Sequence, residues 1–425
     1  MDANSEKYRK YVSILKEELV TAIGCTEPIA IAFAAAKAKE VLGVFPERAL
    51  IECSGNIIKN AMGAVVPNSG GLKGIQASVL AGITGGSADR ELEVLSSITR
   101  EDVDKISSLV ETEFCTVKQL ESDAVLHIIV RLYAGENMAT TEIKYAHTNI
   151  FRITRNKDTI YENITDPSRY SGAVTDRSIL NVGDIVDFAD TAPIEDVKEL
   201  LQRQIDYNMA IAKEGMRGEY GVGIGKTLLK GMGASLWTRV KAYAAAASEA
   251  RMGGSVMPVV TNSGSGNQGI TASVPVIVYA AESGIEEEKL LRGLIMSNLL
   301  TIHQKTKIGK LSAFCGAVCA ACAAGAAITY LAGGRLEEIS RTIVNTLANV
   351  PGIICDGAKP SCAAKIASSL DATLMAHLIS VEGKSYEPGT GILKEDIEQT
   401  ISMVGNMANK GMAATDTEIL RIMLN

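Results

Sequence analysis

The sequence predicts an α+β protein: a mostly helical body built from both chain ends, carrying an inserted αβ lobe. Three observations predict it. Apolar residues recur at helical spacing near the start, where Tyr11, Leu15, Leu19 and Ala22 fall close to one face, and again through most of the chain after Ile194. Between those regions four alternating runs, CTVKQL, AVLHIIVRLY, TTEIKYAH and IFRITR, read as strands. Finally, the phrase VVxNSG, then a glycine and IxAS, occurs twice, with Asn68 and Asn262 at equivalent positions. Such a repeat suggests two related loop-plus-helix units facing one site. A chain of 425 residues is longer than one core usually grows. The expected divisions are 1–86 for the first part of the helical body, 87–190 for the lobe and 191–425 for the rest of the body.

In chain order, Tyr8 to Ile23 reads as a helix stopped by Gly24. Cys25-Thr26-Glu27-Pro28 then opens an apolar helix from Ile29 to Leu42, with Thr26 as N-cap and Cys25 just outside it. A thiol there feels the positive end of the helix dipole, which favours thiolate, although a small residue filling a turn is the other reading. Leu50 to Gly86 is rich in glycine and small residues. A strand near Glu91 and a charged helix, Arg100 to Glu113, lead into the four strands, and Asp166 to Pro193 is a polar connection. Helices follow at Ile194 to Glu214, Leu228 to Met252, Glu286 to His303, Leu336 to Ala348, Ala363 to Ser380 and Leu393 to Asn409.

Composition narrows the partners. With 42 basic against 49 acidic residues there is no basic surface for nucleic acid, so a small-molecule substrate is expected. The charged opening MDANSEKYRKYV does not read as a secretory signal, which suggests a cytoplasmic protein. Leu311 to Gly334 is long enough to cross a bilayer, but nine of its residues are alanine and four are glycine. That mix suits close packing inside protein better than contact with lipid, so no membrane span is expected. The apolar Ile29 to Leu42 helix offers a face for a second copy, and a homodimer is the expected state.

Several motifs compete. GVGIGKT resembles a phosphate-binding loop, but Tyr220 stands where its first glycine is required. Gly264, Gly266 and Gly269 form a GxGxxG, yet Pro258 and Pro275 interrupt the strand and helix that should flank it. What remains is a loop whose N–H groups, with Asn262, Ser263, Gly264, Ser265 and Asn267, suit a carboxylate; Asn68 and Ser69 are the copy's counterparts. Five of the eight cysteines lie between Lys310 and Lys365. Cys319 and Cys322 fall on one face of the alanine-rich helix, as core residues would. Cys355 and Cys362 flank DGAKPS ahead of a helix, a setting whose free N–H groups suit an iron–sulfur cluster, and Cys315 could be the third ligand.

Taken together, GCTEP, SGNIIKNAMG, NSGSGNQG, FCGAVCAACAAG and CDGAKPSC resemble the L-cysteine desulfidase family, relatives of the α-type chain of iron–sulfur L-serine dehydratases. The resemblance spans nearly the whole chain with its motifs in the same order. It implies a [4Fe–4S] lyase that uses no pyridoxal phosphate, with the cluster on Cys315, Cys355 and Cys362 and a reactive cysteine at Cys25. L-cysteine would then be eliminated to pyruvate, ammonia and sulfide. L-serine by the same chemistry is the alternative, and a non-catalytic amino-acid or cluster sensor the next. Cys25 is the first choice for the base, ahead of Glu27, Lys359 and His303.

Overall fold

A computed structural model describes residues 1–163, 175–309 and 313–424 of the protein. The first residues of the alanine-rich segment and 166–174 of the polar connection lie outside them. The fold is α+β, and its strands, in chain order, are Thr21–Ile23 (β1), Arg48–Cys53 (β2), Cys115–Gln119 (β3), His127–Ala134 (β4), Asn137–Lys144 (β5), Ile150–Arg155 (β6), Asp158–Glu162 (β7) and Pro258–Val260 (β8). Among the described residues six of them form one sheet in the order β3-β2-β4-β5-β6-β7, antiparallel throughout except for the parallel β2–β3 pair.

The four foreseen strands are present because alternation gives each a buried face. In β4, Ile128, Val130 and Leu132 are wholly buried. Strand β2 escaped notice among glycine-rich neighbours, although Ala49, Ile51 and Cys53 alternate inward in it as well. The strand expected near Glu91 is instead a short 3₁₀ segment, Ala88–Glu93, with Glu91 at φ 47°.

Two cores result. One gathers the sheet, the helix Thr26–Leu42 and the helix Gly74–Gly85. The stretch 1–86 is therefore shared: its first helix, Glu6–Glu18, packs in the other core, and most of the rest packs with the sheet. Gly82 lets those two lobe helices touch, since a Cβ there would lie 2.2 Å from the Ala32 carbonyl oxygen. The apolar face of Thr26–Leu42 is thus used within the chain, not kept for a second copy.

The other core surrounds the helix Gly316–Leu331, which packs against Glu287–Ile308, Gly266–Glu282, Leu336–Asn349 and Cys362–Val381. Cys319 and Cys322 are buried in it. Its small residues permit close approach: a Cβ on Gly325 would fall 1.8 Å from Thr373 Oγ1. Among the described residues no helix is long and apolar enough to cross a membrane. The helix expected over Leu228 to Met252 is split at Gly233 (φ 75°) into Ile224–Met232 and Leu236–Met252. Conversely, Pro275 does not interrupt Gly266–Glu282. Proline leaves the Thr271 carbonyl without its helical donor, but burial of nearly the whole helix outweighs that single loss.

The two cores are joined where β1 pairs antiparallel with β8, Thr21 opposite Val260. A second junction sets the helix Ala413–Leu424 on the helix Gly55–Ala61, with Lys59 paired to Asp416 and Leu420 filling the space above Gly55.

Candidate active site

The β1–β8 pairing ends beside Gly24, whose φ of 60° turns the chain into the helix Thr26–Leu42. Cys25 is itself the N-cap, one residue earlier than expected. Its Sγ lies 3.2 Å from Glu27 Oε2 and 3.8 Å from the Asn60 carbonyl oxygen, and Asn60 Nδ2 donates to Glu27 Oε1 at 3.2 Å. The thiolate expected from the helix dipole is not favoured here. Burial, then the negative Glu27 beside it, push the Cys25 thiol well up, with Arg251 opposing. Glu27 is held below the usual carboxylate range: burial works against this, but His147 and the hydrogen bond from Cys25 outweigh it. Cys25 is thus a protonated thiol hydrogen-bonded to an ionised carboxylate, which keeps the proton on sulfur.

The second group of thiols is assembled by a two-way backbone clasp. Cys315 N–H donates to the Ile353 carbonyl at 2.8 Å, Cys355 N–H donates to the Ala313 carbonyl at 2.5 Å, and Phe314 bridges Ile354. Cys315 is the N-cap of Gly316–Leu331, and Cys362 is the first residue of its own helix. Cys355 accepts a hydrogen bond from the Cys315 thiol, which, with the Gly357 N–H and the nearby Lys59 and Lys365, brings it down to about 6; Cys315 is raised in turn. Cys362 is raised by burial, and its Sγ lies 3.6 Å from the Gly357 carbonyl. Lys305 also faces Cys315 and Cys355, so the thiols sit in a cationic setting.

The fold brings Cys25 to these thiols. Cys25, Ala64 and Met252 form a small buried cluster against which Ala358 and Cys362 pack. SGNIIKNAMG supplies the wall between them: Gly63 lies against Ala358 and Lys359, and the Lys59 carbonyl presses on Gly357. Among the described residues no group of three or more His, Cys, Asp or Glu side chains could hold a metal ion. A four-iron cluster makes a different demand, because each thiolate binds its own iron on the rim of a cube.

The glycine-rich loops reach the Cys25 region, one through Pro67 at Gly24 and the other through Asn267, which bonds the Arg251 that acts on the thiol. Asn262 is fully buried with its Nδ2 bonded to Asn298, and Ser263 Oγ donates to Asn262 Oδ1. Ser265 caps Gly266–Glu282, Gly264 turns at φ 73°, and Asn267 Oδ1 accepts from Ser248 Oγ and Arg251 Nη1. In the copy, Asn68 Nδ2 donates to the Leu95 carbonyl and Ser69 Oγ to Val66, while Pro67 sits 3.0 Å from where Gly24 would carry a Cβ. Most of these side chains therefore shape the loops. Lys359 is paired with Asp356 in the DGAKPS loop, and His303 with Glu398 at 2.7 Å, a contact that ties helices together. The GVGIGKT loop already holds its anion: Glu249 accepts N–H bonds from Val222, Gly223 and Ile224.

Sequence reasoning missed Arg251, Gln268 and His147. Arg251 and His147 are single polar residues at the edges of ordinary elements, and Gln268 stands inside the glycine-rich NSGSGNQG motif, where the neighbouring asparagines and serines drew the reading instead. One outcome follows for protein prepared without a cluster: iodoacetamide at neutral pH should modify Cys355 before the other seven cysteines. Its rate should rise as pH passes about 6, where this thiol becomes anionic, and fall in acid; peptide mass mapping across pH reads this.

Comparison with known proteins places the chain among the following relatives. A family model described as serine dehydratase alpha chain matches residues 89–421. A UPF0597 protein of Lachnoclostridium phytofermentans is 52% identical over 418 residues, covering 98% of this chain and 100% of its own. Another, of Treponema denticola, is 50% identical over 430 aligned positions and all of both chains. A third, of Desulfitobacterium hafniense, is 49% identical over 425, covering 100% of this chain and 99% of its own.

Proposed function

The chain belongs to the serine dehydratase alpha-chain family, and on that premise we propose that it is an iron–sulfur lyase removing sulfide from L-cysteine by α,β-elimination. The observation that carries the reading is the convergence of Cys315, Cys355 and Cys362, among lysines, with the Cys25–Glu27 pair beside Cys362. This donor set fits a [4Fe–4S] cluster. It offers three thiols, one of them already anionic near neutral pH, and positive charge to offset the cluster's own. Three cysteines leave one iron of four without a protein ligand, and that iron would supply Lewis acidity toward the β-substituent.

The chain's own residues do the rest. Cys25 takes the α-proton of the substrate as its thiolate. Burial and Glu27 disfavour that form and Arg251 favours it, so it must be generated as positive charge enters with the substrate. The Cα–H electron pair becomes the Cα=Cβ bond as hydrosulfide departs, giving 2-aminoacrylate. Its imine tautomer is hydrolysed by water to pyruvate and ammonia. Burial around Cys25 keeps bulk water from the proton transfer.

Protein reconstituted without air should release sulfide and pyruvate in equal amounts from L-cysteine. Cys25→Ala should keep the visible absorption of the cluster while turnover falls by about 100-fold or more, the usual scale for a lost acid–base group. Unchanged turnover would remove Cys25 from the reaction. The family's description favours L-serine as a second reading. A larger kcat/KM for L-serine than for L-cysteine would establish it in place of the first.

A further inference from the structure

Two buried polar atoms near these thiols have no hydrogen-bond partner among the described residues: Arg251 Nε and Gln268 Oε1. Arg251 is 6% exposed at the end of the helix Leu236–Met252, and Gln268 is 7% exposed in the first turn of Gly266–Glu282. Among the described residues no carboxylate lies within ion-pair distance of Arg251, and its one hydrogen bond, to Asn267 Oδ1, is 3.3 Å long. A buried, unpaired guanidinium is costly, and so is a buried amide oxygen without a donor. Their separate costs are recovered together if a ligand brings an anion to one and a cation to the other.

Their positions suit one ligand. Arg251 lies close enough to act electrostatically on Cys25, Glu27 and Cys362. Gly266 leaves it room, since a Cβ there would meet Arg251 Nε at 2.3 Å. Gln268 lies across Gly316, the residue after Cys315, where a Cβ would come within 2.5 Å of its amide carbon. The unpaired donor thus lies on the Cys25 and Cys362 side of the site and the unpaired acceptor on the Cys315 side.

We propose that Arg251 and Gln268 form a clamp for the α-amino-acid zwitterion, the guanidinium taking the α-carboxylate and Gln268 Oε1 taking the α-ammonium. This assignment rests on the amino-acid lyase reading of the site. Asn267 acts on the clamp by orienting Arg251. A planar guanidinium meets a carboxylate in a two-point fork, which fixes the rotation of the substrate as well as its position. With both ends of the zwitterion held, the α-hydrogen has one direction left to point, and Cys25 is the group placed to receive it.

The test uses L-alanine, which has no group to eliminate, titrated calorimetrically into anaerobically prepared protein. Wild type should bind L-alanine but bind L-alaninamide about 10- to 100-fold more weakly, the loss of a charged hydrogen bond. Arg251→Gln should lower L-alanine affinity by a similar factor and leave L-alaninamide unchanged. Arg251→Lys, which keeps the charge without the fork, should fall between. Gln268→Met should weaken L-alanine while leaving propionate, which lacks the ammonium, unaffected. Wild type failing to prefer L-alanine over its amide would overturn the clamp, as would Arg251 variants that lose both ligands equally or neither. Turnover of L-cysteine by the same preparation decides the lyase reading separately, since the clamp can bind alanine in a protein that eliminates nothing.

Discussion

Cys362→Ala protein, reconstituted without air, is expected to hold iron and acid-labile sulfide only at background, and Cys355→Ala and Cys315→Ala to behave likewise. The reason lies in how the three thiols are held. Cys315 and Cys355 are set side by side by the reciprocal bonds between 313–315 and 353–355, and Cys362 is fixed by the first turn of a long helix. None can move to cover for another. Cys319→Ala and Cys322→Ala provide the contrast: both lie inside the packed helix Gly316–Leu331, so each should cost about 1 kcal/mol of packing and leave cluster content intact. A cluster retained in the Cys362 or Cys355 variant would move the ligand assignment elsewhere. Loss of the cluster in the Cys319 variant alone would have the same effect.

Much of this arrangement was legible in the sequence, and the failures have physical causes. Period-two alternation gave four of the six strands of the sheet, because a sheet with one buried face leaves that mark in a sequence. The small-residue composition of 311–334 gave a buried helix, and Gly325 against Thr373 shows why bulk is excluded there. Strand β2 was missed because it runs straight into glycine-rich text that masked its alternation, and its pairing with distant β3 and β4 is not written in its own residues. The protonation of Cys25 was misjudged for a related reason. The helix dipole is a local feature, whereas burial, the largest influence on this thiol, and the Asn60 contact that holds Glu27 against it are tertiary. Arg251 could not be found at all from sequence. A guanidinium declares itself only when the fold encloses it and withholds a partner.

Gly357→Ala should be strongly damaging although it touches no sulfur. Gly357 has φ 100°, a conformation an alanine adopts only under strain of about 1–3 kcal/mol. Space adds to this, because a Cβ there would lie 1.9 Å from the Lys59 carbonyl oxygen and 2.8 Å from its carbon, and backbone cannot swing aside as a side chain can. The DGAKPS loop would have to lift from the helix Gly55–Ala61, so the total cost should reach about 3 kcal/mol or more. That helix also carries Lys59, which holds Asp416 and faces Cys355, and Asn60, which holds Glu27. One added methyl should therefore separate the thiol group from Cys25, lowering the urea midpoint and cluster loading together. Gly63→Ala is the control, since its Cβ would meet the Lys359 Cβ and the Ala358 carbonyl oxygen at 3.2–3.3 Å, an approach relieved by a shift of a few tenths of an ångström and with no positive φ to strain. Equal midpoints for the two variants would mean that the loop does not bear on Lys59, and that the coupling between the two cysteine groups does not run through the helix Gly55–Ala61.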